Sequence, residues 1–224
     1  MLQTDRIVAR VSPPWRLRGC AYVFLFTFEP WFLRSEGFLP PELGAGFEGQ
    51  LGTVVLADYR ESPVGPYREL LFLAGRNLRW RNHRFSIIRA YVSSEASTVS
   101  GQENWGIPKQ TAEFEVIEEE NGAERVIVLR DGLAQVDLTV APASGVTLPV
   151  ASFIAPPSWR TIVQLRNENS YETQMDGRGW LRPAKLLDFR TMPTAFPDVN
   201  EGNLIKGFFA TRLRLRLPRS SHTG

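Results

Sequence analysis

Lysine is nearly absent from this chain. Of its 26 basic residues only Lys109, Lys185 and Lys206 are lysine, and arginine supplies the other 23. Arginine stays protonated and cannot act as a nucleophile, whereas a lysine amine can lose its proton in a dry pocket. Each retained lysine therefore asks for a reason. Cysteine is scarcer still: the single Cys20 excludes an internal disulfide and fits a reducing cytoplasm. Set before an apolar strand, it reads as a small buried filler rather than a nucleophile. Histidine is limited to His83 and His222, the latter in a polar tail. A metal site or a histidine triad would rest on His83 alone, beside Arg81 and Arg84, which argues against both. The longest apolar run, residues 22–28, is far too short to span a bilayer, and the N-terminus lacks a basic-then-apolar signal layout. Neither Gly-x-Gly-x-x-Gly nor a Walker pattern occurs, and Gly44 to Gly49 reads as a flexible turn. A net charge of +2 describes arginine on a nearly neutral surface, which argues against nucleic acid as the main partner.

What the chain does have is a series of short strands punctuated by glycine and proline. Strands are expected at 22–28, 52–59, 69–74, 85–92, 112–118, 124–129, 135–140, 159–165, 171–175, 179–189 and 208–217. Asn121-Gly122 and Asp131-Gly132 supply tight hairpin turns, because both pairs tolerate positive φ. Helix is sparse: a turn over 30–36, another near 40–43, and a polar segment or short helix at 93–100. The last strand alternates strictly, with Leu213, Leu215 and Leu217 on one face and Arg212, Arg214 and Arg216 on the other. That period marks a half-buried strand with a solvated arginine face; a contact with a second subunit is the next reading. No linker or repeat interrupts the pattern. The expectation is mainly β: one antiparallel-rich domain over residues 1–224, curled into a barrel or cone.

The most informative segment is Gly101-Gln-Glu-Asn-Trp-Gly-Ile-Pro-Lys109, read here as a loop that ends on a lysine flanked by Ile107, Pro108 and, upstream, Trp105. The plain alternative is a lysine that starts a strand and points into water. Glu103 to Lys109 resembles the signature of the acetoacetate decarboxylase family, in which a Gly-x-Glu-x-Trp-Gly-x-Pro-Lys-type segment carries the Schiff-base lysine. Tyr67-Arg68-Glu69 is similar to the family's Tyr-x-Glu segment, whose glutamate faces that amine. The two pieces come in the family's order and at roughly its separation. The resemblance implies a cone-shaped β-barrel with small peripheral helices, an oligomer, and chemistry that needs neither metal nor organic cofactor.

By that resemblance Lys109 and Glu69 are the candidate catalytic residues, with Gln110, Tyr67, Trp105 and Arg18 as candidate substrate contacts. The chain departs from the family pattern in three places. Gln110 stands where a second lysine is expected, Arg18 is the nearest match to an N-terminal arginine, and 52–59 lacks a further glutamate. An ordinary lysine titrates near ~10.4, so nucleophilic work at neutral pH requires desolvation or a neighbouring like charge. The family is itself the standard example of such activation, so this is a property of the family before it is one of this chain. The implied partner is a small keto acid or related carbonyl compound, with decarboxylation as the default reaction and aldolase- or dehydratase-type chemistry as a variant. The second hypothesis is a non-catalytic small-ligand-binding barrel in which Lys109 serves as an ion-pair donor. Phe24, Phe26, Phe72 and Trp105 are candidates for apolar pocket walls.

Overall fold

The structure, a computed structural model, describes residues 8, 10–35, 39, 50–75 and 85–223. His83 with Arg81 and Arg84, the turn at 44–49 and the helix expected near 40–43 lie outside them. The chain begins its sheet with β1 (Trp15–Thr27), followed by the short helix α1 (Pro30–Ser35) and strands β2 (Leu51–Glu61), β3 (Tyr67–Gly75) and β4 (Phe85–Val92). Helix α2 (Glu95–Trp105) leads into β5 (Lys109–Thr111), then the meander β6 (Glu113–Glu118), β7 (Glu124–Arg130) and β8 (Leu133–Pro142). Strands β9 (Leu148–Ala151), β10 (Thr161–Arg166), β11 (Asn169–Gln174), β12 (Asp176–Thr191), β13 (Asn203–Leu217) and β14 (Ser221–Thr223) complete it.

The strands join in the order β14-β11-β10-β4-β3-β2-β1-β13-β12-β8-β7-β6, with β5 also on β4 and β9 on β12. Pairing is antiparallel except that β4 runs parallel to β5 and to β10. The mainly β, antiparallel-rich reading with few short helices holds. Hydrophobic alternation sends the two sides of the central strands into different cores. Phe24, Val54, Leu56, Leu70, Phe72 and Tyr91 enter one cluster. Trp15, Ala57, Tyr59, Tyr67, Leu71, Ala90, Trp105 and Ile107 enter the other. This second face carries the site.

Asp131 and Gly132 both have positive φ, 53° and 74°, and join Arg130 directly to Leu133, the tight two-residue turn expected from Asp-Gly. At the other turn only Gly122 is left-handed, while Asn121 Oδ1 accepts from Ala123 N at 2.8 Å.

The main correction concerns the segment before Lys109. It is not a loop: α2 continues to Trp105. Ser94 caps its start, accepting from Ser97 N at 3.3 Å. Its end is a left-handed Gly106 (φ 64°), whose N–H reaches Gln102 O at 3.1 Å while Ile107 N reaches Gly101 O at 3.2 Å. Pro108 then prevents any continuation. Residues 221–223 are a second correction, because the polar tail pairs with β11 as β14, and His222 packs edge-on against Tyr171 at 4.7 Å.

Candidate active site

Lys109 opens β5 opposite Ala90 of β4, so its side chain projects toward the face lined by Leu71, Ala90 and Tyr67. Glu69 lies on β3, between Ala57 of β2 and Val92 of β4, on the same face. The sheet register thus delivers to one spot two residues forty positions apart in sequence. The Lys109 ammonium lies 2.8 Å from Glu69 Oε1, and the two side chains are only 4% and 5% exposed. Lys109 Nζ also donates to Ser97 Oγ at 3.1 Å and sits 5.3 Å from the centre of the Tyr67 ring.

Helix α2 is shaped to admit this lysine. Ser97 and Gly101 are four residues apart and share one helix face. A Cβ on Gly101 would lie 2.5 Å from Lys109 Cδ and 2.9 Å from its Cε. Only glycine leaves room for the aliphatic stem. Gln102 fixes the backbone, donating to Lys109 O at 2.7 Å while its oxygen accepts from Arg166 at 3.1 Å. Asn104 and Trp105 anchor the helix end. Asn104 donates to Val11 O at 2.7 Å, and Trp105 Nε1 donates to Pro218 O at 2.7 Å with its ring edge-on to Trp15 at 5.2 Å. Glu103 points outward toward Arg10 at 3.8 Å, half exposed.

Two tyrosines surround the carboxylate. Tyr59 and Tyr67 face each other across β2 and β3, rings 5.0 Å apart. Burial first, then the negative charge of Glu69, holds both phenols well above their ordinary range. The Tyr67 hydroxyl is buried near Ser97 and makes no well-formed hydrogen bond among the described residues. A weakly satisfied buried donor beside an amine and a carboxylate is an opening for a ligand oxygen. The raised phenols also predict an alkaline response. A neutral tyrosine favoured by the fold stabilises fully below the unfolded value of about 10, and that contribution is lost as pH rises above it. Urea midpoints measured from about pH 9 to about pH 11 should fall, and fall less steeply in Tyr67→Phe.

The structure brings Glu69 and Tyr67 to Lys109 and places Trp105 in the packing beneath. It does not bring Gln110 or Arg18 there. Successive strand residues face opposite ways, so Gln110 turns from Lys109 and accepts from Arg130 at 2.8 Å. Arg18 is exposed and pairs with Glu61 at 3.1 Å. Ser97 and Tyr59 went unnoticed in the sequence, and Gly101 was read only as the start of the lysine motif, not as the residue that makes room for its stem. Cys20 lies within β1 rather than before it and is half-buried, not the fully buried filler expected; burial and then Asp58 push its thiol up.

A mainly β protein with one buried, carboxylate-paired lysine beneath a helix is the class that fold and site define. The sequence model of the acetoacetate decarboxylase family matches residues 33–173, and the chain belongs to that family. Over its whole length the fold is similar to acetoacetate decarboxylase from Legionella pneumophila, with a TM-score of 0.67 at 15% identity, covering 99% of this chain and 93% of that one. It is likewise similar to the enduracididine biosynthesis enzyme MppR complexed with pyruvate, with a TM-score of 0.65 at 14% identity, covering 98% and 93%. At these identities the likeness is one of fold. In sequence, 107 residues are 32% identical to Protein NEOXANTHIN-DEFICIENT 1 of Solanum lycopersicum, covering 46% of this chain and 35% of that protein. The match spans about a third of that curated relative's length.

Proposed function

We propose that the chain is a Schiff-base-forming carbon–carbon lyase acting on a small β-keto acid, with Lys109 as the nucleophile. The observation that carries this reading is the Lys109 amine, buried and held between Glu69 and Ser97 beneath Gly101. Glu69 takes a proton from the ammonium, and the neutral amine adds to the ketone carbon. Loss of water gives an iminium ion. The bond to the carboxylate carbon then breaks, its electrons pass into the iminium, and carbon dioxide leaves. The Glu69 proton leaves with the departing hydroxyl as water, so the enamine is protonated at carbon by a further proton that Glu69 relays from solvent water, and hydrolysis returns the amine and the ketone. The Tyr67 hydroxyl, lacking a well-formed bond of its own, donates to the substrate oxygen. MppR also occurs in complex with the condensation product of pyruvate and imidazole 4-carboxaldehyde, which supports an aldolase-type variant through the same iminium.

A second reading keeps the fold without the chemistry. It is favoured by the same amine, since Glu69 and Ser97 already satisfy it as an ion-pair donor. Borohydride reduction in the presence of acetoacetate or pyruvate, followed by intact-mass measurement, separates the two. The enzyme gains the mass of one reduced adduct, mapped to Lys109 and absent from Lys109→Ala. Carbonyl-ligand binding without an adduct across a keto-acid panel selects the binding protein. We further propose that residues 1–224 form one domain that self-associates and works in the cytoplasm. Among the described residues no helix is long and apolar enough to cross a membrane.

A further inference from the structure

The arginine face foreseen on the last strand is wider than one strand. β1, β13 and β12 lie side by side, and their registers align the charges in two rungs. In one, Arg18, Arg214 and Arg178 stand directly opposite one another; in the next, Arg16, Arg216 and Asp176 do. Neighbouring strands are about 4.8 Å apart, well inside the ~8 Å over which physiological salt screens charge. Like charges directly opposite in a sheet destabilise it. Three consecutive arginines on a rung are therefore a cost that nothing in the fold requires.

The surface between these rungs is concave, a cleft of about 780 Å³ lined by Arg16, Arg18, Arg160, Arg178, Arg214 and Arg216 against one acid, Asp176. Arg18 pairs with Glu61 and Arg160 with Asp176. The side chains of Arg16, Arg178, Arg214 and Arg216 have no ion-pair partner among the described residues. A second observation is independent of the rungs: Arg160 Nε is buried in this cleft with no acceptor among the described residues. Beside the charges, Phe153 lines the cleft and is 77% exposed.

We propose that this cleft is a binding site for a phosphate-bearing ligand with an apolar portion. A guanidinium presents a planar fork of donors that matches phosphate oxygens. A phosphate with three terminal oxygens bridges guanidinia on adjacent strands, and a diphosphate spans all three of the first rung. Phe153 offers the ledge for the apolar part. The phosphate belongs either to a soluble phosphorylated compound or to a lipid headgroup, and the test distinguishes these sources. The cleft shares no residue with the Lys109, Glu69 and Tyr67 cluster.

Calorimetric titration of the whole chain with inorganic pyrophosphate at low salt tests the soluble source. Co-sedimentation with phosphatidylcholine vesicles, with and without phosphatidylglycerol, tests the lipid one. Arg178→Gln/Arg214→Gln should weaken whichever binding is found at least tenfold and leave borohydride trapping at Lys109 unchanged. Relief of the like-charge rung should leave the melting temperature of this variant equal to or above that of the wild type. Pyrophosphate binding lost in the variant supports a soluble ligand, and binding confined to the anionic vesicles supports a headgroup. Absence of both, equal binding by the variant, or a clear drop in its melting temperature would overturn the proposal.

Discussion

Glu69→Leu should lose about 3–5 kcal/mol of folding stability, because it strands the Lys109 ammonium without its counter-ion at a position only 4% exposed. The same residues predict a recovery. In Glu69→Leu/Lys109→Met neither charge remains, and an apolar pair of similar volume replaces a buried ion pair at little or no cost. The double variant should regain most of the loss, in strong departure from additivity. Urea unfolding of the wild type, both single variants and the double variant gives the cycle directly. A loss below about 1 kcal/mol in Glu69→Leu, the range of exposed pairs, would show that water reaches the amine. The cycle also bears on function. A buried ion pair is a poor stabiliser compared with an apolar pair of the same volume, and full recovery in the double variant would favour the proposed chemical role of Lys109 over a purely structural one.

How far the sequence foretold this arrangement depends on the kind of signal. β4 was legible at both ends, Phe85 and Val92, because its β-branched and aromatic residues are bounded by a clear change of composition. β9 and β14 were not. Leu148–Ala151 and Ser221–Thr223 are too short to show a period, and their pairing is supplied by β12 and β11. α2 was cut short at residue 100 for a different reason. The face it buries is Ser97, Ser100, Gly101 and Asn104, ending on Trp105, so no apolar stripe marks the helix. Its last turn was hidden inside the very motif that identified the lysine.

The site divides in the same way. Lys109 and Glu69 were legible through short motifs whose spacing survives divergence. Their partners Ser97 and Tyr59 depend on long-range register, Ala90 against Lys109 and Tyr59 against Tyr67, which no local pattern encodes. Gln110 and Arg18 were assigned by their positions in the family pattern, and strand parity decides otherwise. One residue along a strand is the opposite side of the sheet. The arginine face shows the converse: its alternation was plain in Thr211 to Leu217, but its extension onto β1 and β12 was visible only when the strands were side by side.

Gly101→Ala sets two effects of opposite sign against each other. Alanine in a helix interior is favoured over glycine by about 1 kcal/mol, so α2 alone would gain. The added methyl, however, would lie 2.5 Å from Lys109 Cδ and 2.9 Å from Cε. Lysine stems usually yield to such contacts, but this one ends in a buried pair with Glu69 and a bond to Ser97, and Gln102 holds its backbone. Overpacking of a filled interior costs about 1–3 kcal/mol, which cancels or exceeds the helical gain. The net change in stability should be small, while the amine is displaced from its place. A misplacement of about 1 Å can cost on the order of 100-fold in rate, and the rate of reductive trapping should fall by about that factor. Ser97→Ala, which removes one bond and leaves the stem in place, should fall far less. Undiminished trapping in Gly101→Ala would mean that the lysine reaches its substrate from another conformation, with the space beneath α2 serving only to store it.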